Sequence, residues 1–253
     1  MGRQLLVGRT ILVIAFIGFA LQHLGTAIGS TYADQGPPWL TGHPVPAAIV
    51  GALLMVAGVG LAAGGRSRTL TAALAIILAL YALALYLPGM VQNIHAPGGW
   101  TNVAELLSLS GALLAATRPL LGVEARYDLA ARSAGRLLYG APLLVFAVQH
   151  IIYAGFVADI VPVWIPWHLF WTYFVAAVFI AAALSIVAGP MRWWAATLLG
   201  VQFLLWVPLV HIPLVLRAPA SGNQWSSLFV AMAMWGGAWA IAGASRGPRA
   251  VDP

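Results

Sequence analysis

Long apolar runs alternate with short stretches where Arg, Gly, Pro and Ser gather. Eight runs stand out, at about 10–29, 45–63, 69–88, 102–117, 136–157, 169–188, 192–212 and 226–243. A helix needs about 20 apolar residues to cross a hydrocarbon layer about 30 Å thick. None of the runs alternates apolar and polar positions as a barrel strand does. A backbone in lipid must also satisfy its own hydrogen bonds. The pattern therefore predicts an all-α transmembrane fold with eight TM helices. The fourth run is the weakest, being short and carrying Glu105, Ser108 and Ser110.

The second half of the pattern echoes the first. Phe19-Ala-Leu-Gln-His23 recurs as Phe146-Ala-Val-Gln-His150, 127 residues on. Asp34, Trp39 and His43 recur as Asp159, Trp164 and His168, 125 residues on, as do Trp100 as Trp225 and Gly111 as Gly236. Pro88 is paired with Pro208 across a small gap. A near-constant offset over rare residue types predicts a tandem duplication. The first four-helix repeat takes 1–117, a cytoplasmic linker 118–135, and the second repeat 136–253. Four helices return the chain to its starting side, so the two bundles are parallel repeats about an axis along the membrane normal. The mixed charges Arg126, Asp128 and Arg132 suit an interfacial helix in the linker.

Composition agrees with lipid as the solvent. Hydrophobic residues make up 62% and charged residues 7%, against roughly a quarter charged in soluble domains. With both termini inside, Arg3, Arg9, Arg66, Arg68, Arg118, Arg126, Arg132, Arg136, Arg192, Arg246 and Arg249 fall on the cytoplasmic side and only Arg217 outside. This is the positive-inside bias, so the net charge of +6 is read as topology and not as nucleic-acid binding. The first run lacks a small-x-small cleavage site and belongs to the repeat, so it is expected to be retained as a span. Cys and Lys are both absent, which excludes thiolate ligands and Schiff-base chemistry. Arg in place of Lys, with abundant Ala and Gly, points to a bacterial cytoplasmic (inner) membrane.

The candidate chemistry is a histidine belt. All six His fall toward the outer side: His23 and His150 inside their helices, His43 and His168 at helix starts, His95 in a loop and His211 late in the seventh run. Phe19, His23 and Thr26 share one helical face, as do Phe146, His150 and Tyr153, with Gln22 and Gln149 beside each His. Polar groups at such depth face the bundle interior and are functional by default. Three readings stay open. Each His is an interhelical hydrogen-bond partner; or it holds a small ligand such as a quinone head group; or His23, His43, His150 and His168 converge on a metal or haem. Glu105 is the only acid within a span. Asn102 could cap the fourth helix and place Glu105 beside its dipole, or Glu105 could relay protons. Trp39, Trp100, Trp164, Trp167, Trp171 and Trp225 form an outer aromatic belt or line an entrance. Gly58, Gly60, Gly111, Gly236 and Gly237 suit close helix packing. Pro208 and Pro213 should kink the seventh helix around His211.

The run Phe146-Ala-Val-Gln-His150, with Val161-Pro-Val-Trp-Ile-Pro166 and Phe170-Trp-Thr-Tyr173, resembles the DoxX-like membrane proteins. The first half carries a worn version in Gln22-His23, Pro38-Trp39 and His43-Pro44, with Thr41 in place of the second loop proline. The resemblance covers nearly the whole chain as a tandem duplication. It implies four-helix units and a link to quinone-coupled oxidation or membrane oxidoreductase complexes.

Together these readings predict an outward-facing, His-lined site. His23 and His150 would donate hydrogen bonds or accept protons. Gln22 and Gln149 would orient the ligand, and His43 and His168 would close the mouth. Tyr153, Trp164, Trp39 and Glu105 complete the set, and the second copy, with the fuller motif, is the better site. The activity would be quinone-linked redox chemistry or binding of a small apolar ligand. The alternative is a small-solute transporter or a non-catalytic accessory subunit. Partners beyond the lipid bilayer would be a membrane redox protein or a second copy of the chain.

Overall fold

The computed structural model describes residues 2–28, 43–63, 68–117, 125–189 and 191–245. Among them there is no strand; the chain is a sequence of helices. These are α1 (Arg3–Ala27), α2 (Pro44–Ala63), α3 (Arg68–Tyr81), α4 (Leu87–Gln92), α5 (Pro97–Ala116), α6 (Ala125–Gly140), α7 (Pro142–Ile152), α8 (Ala154–Ile160), α9 (His168–Ala188), α10 (Arg192–Trp206), α11 (Ile212–Arg217) and α12 (Gly222–Ser245). The π-helical turns Ala82–Tyr86 and Val207–His211 join α3 to α4 and α10 to α11.

Among the described residues, seven continuous stretches are long and apolar enough to cross a membrane: Arg3–Ala27, Pro44–Ala63, Thr69–Gln92, Leu129–Ile152, His168–Ala188, Arg192–Arg217 and Gly222–Ser245. Large apolar side chains such as Ile14, Leu21, Ile49, Leu80, Val148, Leu184 and Leu198 stand exposed on them. An apolar surface of that extent belongs in lipid, and this is the build of a multi-pass membrane protein. The remaining predicted span, α5, is a full 20-residue helix but less apolar. Its Ser108, Gly111, Leu113 and Ala116 are buried, where it packs against α3, α6, α7 and α12.

Between helices in lipid, dispersion and close backbone approach replace the hydrophobic drive. Glycines provide that approach. A Cβ on Gly8 would lie 2.6 Å from both the Ala240 nitrogen and the Gly236 oxygen, where α1 crosses α12. A Cβ on Gly135 would lie 3.0 Å from the Ala115 nitrogen, and one on Gly111 would lie 2.6 Å from the Gly135 oxygen, where α6 crosses α5. Gly111 and Gly236 were anticipated from sequence; their contact partners Gly135 and Gly8 were not. Tyr139, fully buried, ties α6 to α12 with a 2.5 Å bond from its hydroxyl to the Met234 carbonyl.

Several sequence expectations need correction. Helix α5 begins at Pro97, with Ala96 before it. Asn102 therefore lies inside the helix and is no cap, and Glu105 stands well past the first turn. The prolines pair differently as well. Pro88 and Pro213, 125 residues apart, each follow a π turn by two residues. Without an N–H, each leaves the carbonyl four residues back, on Ala84 or Leu209, without its helical donor. The widened turn contains that carbonyl and takes up the disruption. Pro208 lies inside the second π turn and has no counterpart in the first. The fifth run does not continue smoothly to 157; it breaks at Tyr153 between α7 and α8. The linker boundary at 135 falls inside α6.

One end of the bundle gathers the first turns of α1 and α10 with the last turns of α2 and α9. There Arg9 donates to the Leu61 carbonyl at 2.6 Å and Arg192 to the Ile186 carbonyl at 2.9 Å. Gln4 bridges Thr197 and Trp193. His23, His43, His168 and His211 lie toward the opposite ends of these helices.

Candidate functional site

His23, one turn from the end of α1, directs Nδ1 at the carbonyl of Phe19 on its own helix, 2.9 Å away. His150 does the same to Phe146 at 2.8 Å. A carbonyl only accepts, so Nδ1 carries the proton, and in the neutral ring Nε2 is left as an acceptor. Among the described residues Nε2 of neither ring makes a hydrogen bond. Among the described residues, then, both histidine bonds are local and neither ring ties two helices together.

The glutamines make the ties instead. Gln22, buried on α1, donates to the Gly222 carbonyl at 2.8 Å and meets the Ser226 hydroxyl at 2.9 Å, both on α12. Gln149 on α7 donates to the Pro97 carbonyl at 3.0 Å and to the Thr101 hydroxyl at 2.9 Å, both on α5. Gly222 and Ser226 lie 125 residues beyond Pro97 and Thr101. Trp100 and Trp225 likewise donate to the carbonyls of Ile94 and Pro219, each six residues back. A role for the glutamine amides in orienting a ligand competes with these bonds.

The principal cavity, about 160 Å³, lies among α1, α2, α3, α5 and α12. Its polar lining is Gln22, His23, Tyr81, Tyr86, Asn102, Glu105 and Ser226; the rest is apolar, including Phe16, Leu54, Leu74 and Leu78. Tyr81, just before the first π turn, and Tyr86, its last residue, are hydrogen-bonded to each other. Tyr86 stands within Coulombic range of Glu105. Glu105 makes no hydrogen bond or ion pair among the described residues, and no Arg lines the cavity.

Around His150 the same space is filled. Its ring stacks on Trp206 with centroids 6.4 Å apart and planes 10° apart, and meets Phe179 edge-on at 5.3 Å. Phe203 packs on both Phe179 and Trp206. Positions 125 residues earlier hold Leu54, Leu78 and Tyr81, all lining the cavity. Two Phe-sized positions replaced by Leu give the first half room that the second half lacks. The cavity therefore lies beside His23, in the N-terminal half, and not beside His150, where the fuller motif was expected to make the better site. The contrast was legible in the sequence as Phe179 against Leu54 and Phe203 against Leu78; alignment of shared residues passes over such differences.

The other candidates do not join this cavity. His43 is exposed at the start of α2, and His168 is half-buried at the start of α9. Tyr153 sits at the α7–α8 break, its hydroxyl 3.5 Å from the His95 carbonyl. Trp164 is exposed. Trp39, Asp34, Pro38 and Thr41 lie outside the described residues. Among the described residues no three His, Asp or Glu side chains gather in a way that could hold a metal ion. His23, His43, His150 and His168 do not converge on one point, so the four histidines form no shared metal site.

The chain matches no family model, no curated protein and no solved structure.

Proposed function

We propose that this is a DoxX-like membrane protein, built of two four-helix repeats with eight spans and both termini cytoplasmic, that binds a small apolar molecule with one polar head group. The repeat reading is supported by the paired Gln ties, the paired Trp bonds, the paired His bonds and the paired π turns, each at the offset read from the motifs. The family reading rests on the Gln-His and Pro-Trp-x-Pro motifs.

The ligand reading is carried by one observation: an apolar cavity of about 160 Å³ with its acid and its free imidazole acceptor in one wall set. An apolar protein cavity of about 150 Å³ takes one benzene ring, whereas a drug-sized ligand needs upward of about 300 Å³. The ligand is therefore single-ring in size, or presents a single-ring head. Leu53 and Ile77 line the cavity yet are exposed at the bundle surface. A lipid-soluble molecule would enter past them, between α2 and α3. Quinone-linked redox chemistry is a second reading, favoured by His23, whose Nε2 can accept a hydroquinol proton.

The test is ligand-induced stabilisation of the purified protein in mild detergent. Single-ring compounds and short-chain quinols should raise the melting temperature; a ligand at 100 times its Kd contributes about 2.7 kcal/mol. Leu78→Phe, which copies the second half, should fold and abolish the shift. Equal shifts in wild type and Leu78→Phe, or no shift with any compound, would leave the cavity without a binding role. Solute flux in proteoliposomes, absent from Leu78→Phe, would make the protein a transporter.

A further inference from the structure

We infer that the head group recognised in this cavity is a protonated amine, an apolar ammonium of single-ring size with Glu105 as its counter-ion. The inference rests on the cavity being a binding site and adds the chemistry of its occupant.

The polar lining has little donor capacity left. Gln22 spends its amide on Gly222 and Ser226. The hydroxyls of Tyr81 and Tyr86 are engaged with each other, leaving one phenolic proton between them. His23 spends Nδ1–H on Phe19 and presents a lone pair. Glu105, as a carboxylate, only accepts, and among the described residues no protein group answers it. Apart from Asn102 and that one phenolic proton, the wall therefore asks for hydrogen-bond donors, and its carboxylate asks for a positive charge. Arg is missing from the lining, and the chain has no Lys, so the protein does not supply that charge itself. An isolated carboxylate in an apolar pocket is costly unless paired. The aromatic lining adds a second preference of the same sign, since ring faces attract ammonium groups.

The acid also travels with the cavity. Position 230, 125 residues beyond Glu105, is Val, and the second half has Phe179, Phe203 and Trp206 where the first has open space. A carboxylate serving the fold would have no reason to vanish where the space does. The rival occupant of Glu105 is a bare proton.

The experiment compares benzylamine with benzyl alcohol at pH 7, by calorimetry on the full-length protein in detergent. The two differ little in size, and only the amine is a cation. The amine should bind at least about tenfold tighter, as one charge-assisted contact predicts. Glu105→Gln should abolish that preference while leaving the alcohol's affinity in place, and Glu105→Asp should retain part of it. Equal affinities in the wild type, or an amine preference that survives Glu105→Gln, would overturn the inference and leave a proton as the occupant. If both Glu105 variants unfold, Leu78→Phe decides: amine binding that persists with the cavity filled also overturns it. Binding of the alcohol without amine preference sinks only this inference; binding of neither sinks the binding site itself.

Discussion

At the scale of single residues, the local division of labour differs from what spacing suggests. His and Gln stand side by side at 22–23 and 149–150, and the pattern gives no means of saying which ties helices and which faces space. The structure gives the tie to Gln and a local bond to His. Side-chain bonds between membrane helices are worth about 0.6–2 kcal/mol. Gln22→Leu and Gln149→Leu should each lose stability in that range, read as a lower melting temperature in detergent. His150→Ala should also destabilise, through a different cause: it empties the slot between Phe179 and Trp206. If neither Gln variant moves the melting temperature, the amides are free to serve a ligand after all. What sequence made legible here was the importance of the four positions. Their roles depended on which carbonyls came within reach, and that is a property of helix crossings.

At the scale of elements, length and hydropathy located the spans well, and their ends poorly. Asn102 looked like a cap because N-cap chemistry is local, yet Pro97, five residues earlier, is the better start: proline suits the first turn, where its missing N–H is no loss. The π turns were not legible, since each depends on a proline two residues beyond it and on neighbours that hold the helix together across the defect. The glycines divide by contact. Gly111 lies under α6, so Gly111→Ala should cost about 1–3 kcal/mol through overpacking. Nothing lies within 4 Å of a Cβ added to Gly98, so Gly98→Ala should be neutral or stabilise by about 0.5–1 kcal/mol through the helix preference for Ala. Melting curves of the two variants in the same detergent check the contrast. Equal changes in the two variants would show that the close α5–α6 crossing adds no penalty at Gly111.

At the scale of the whole molecule, the status of α5 decides the topology. Seven crossings would put the two termini on opposite sides; eight put them on the same side. Hydropathy alone leaves α5 out because Asn102, Glu105, Ser108 and Ser110 lower its mean. Those groups are not in contact with lipid, however: Ser108 and Ser110 are buried, Ser110 donates to the Ala75 carbonyl at 2.7 Å, and Glu105 faces the cavity. A span shielded by α3, α6, α7 and α12 can be polar without cost to the bilayer. The chain has no Cys, so single cysteines report sidedness without background. Gly98→Cys at the start of α5, with Gly155→Cys and Asn223→Cys, should react in intact cells with a membrane-impermeant maleimide. Ser133→Cys on α6, beyond the far end of α5, and Ser245→Cys on α12 should react only after permeabilisation. If Gly98→Cys and Ser133→Cys instead label from the same side, α5 does not cross. The second bundle would then be inverted relative to the first, and the parallel duplication that pairs His23 with His150 would fail as a description of the molecule in its membrane.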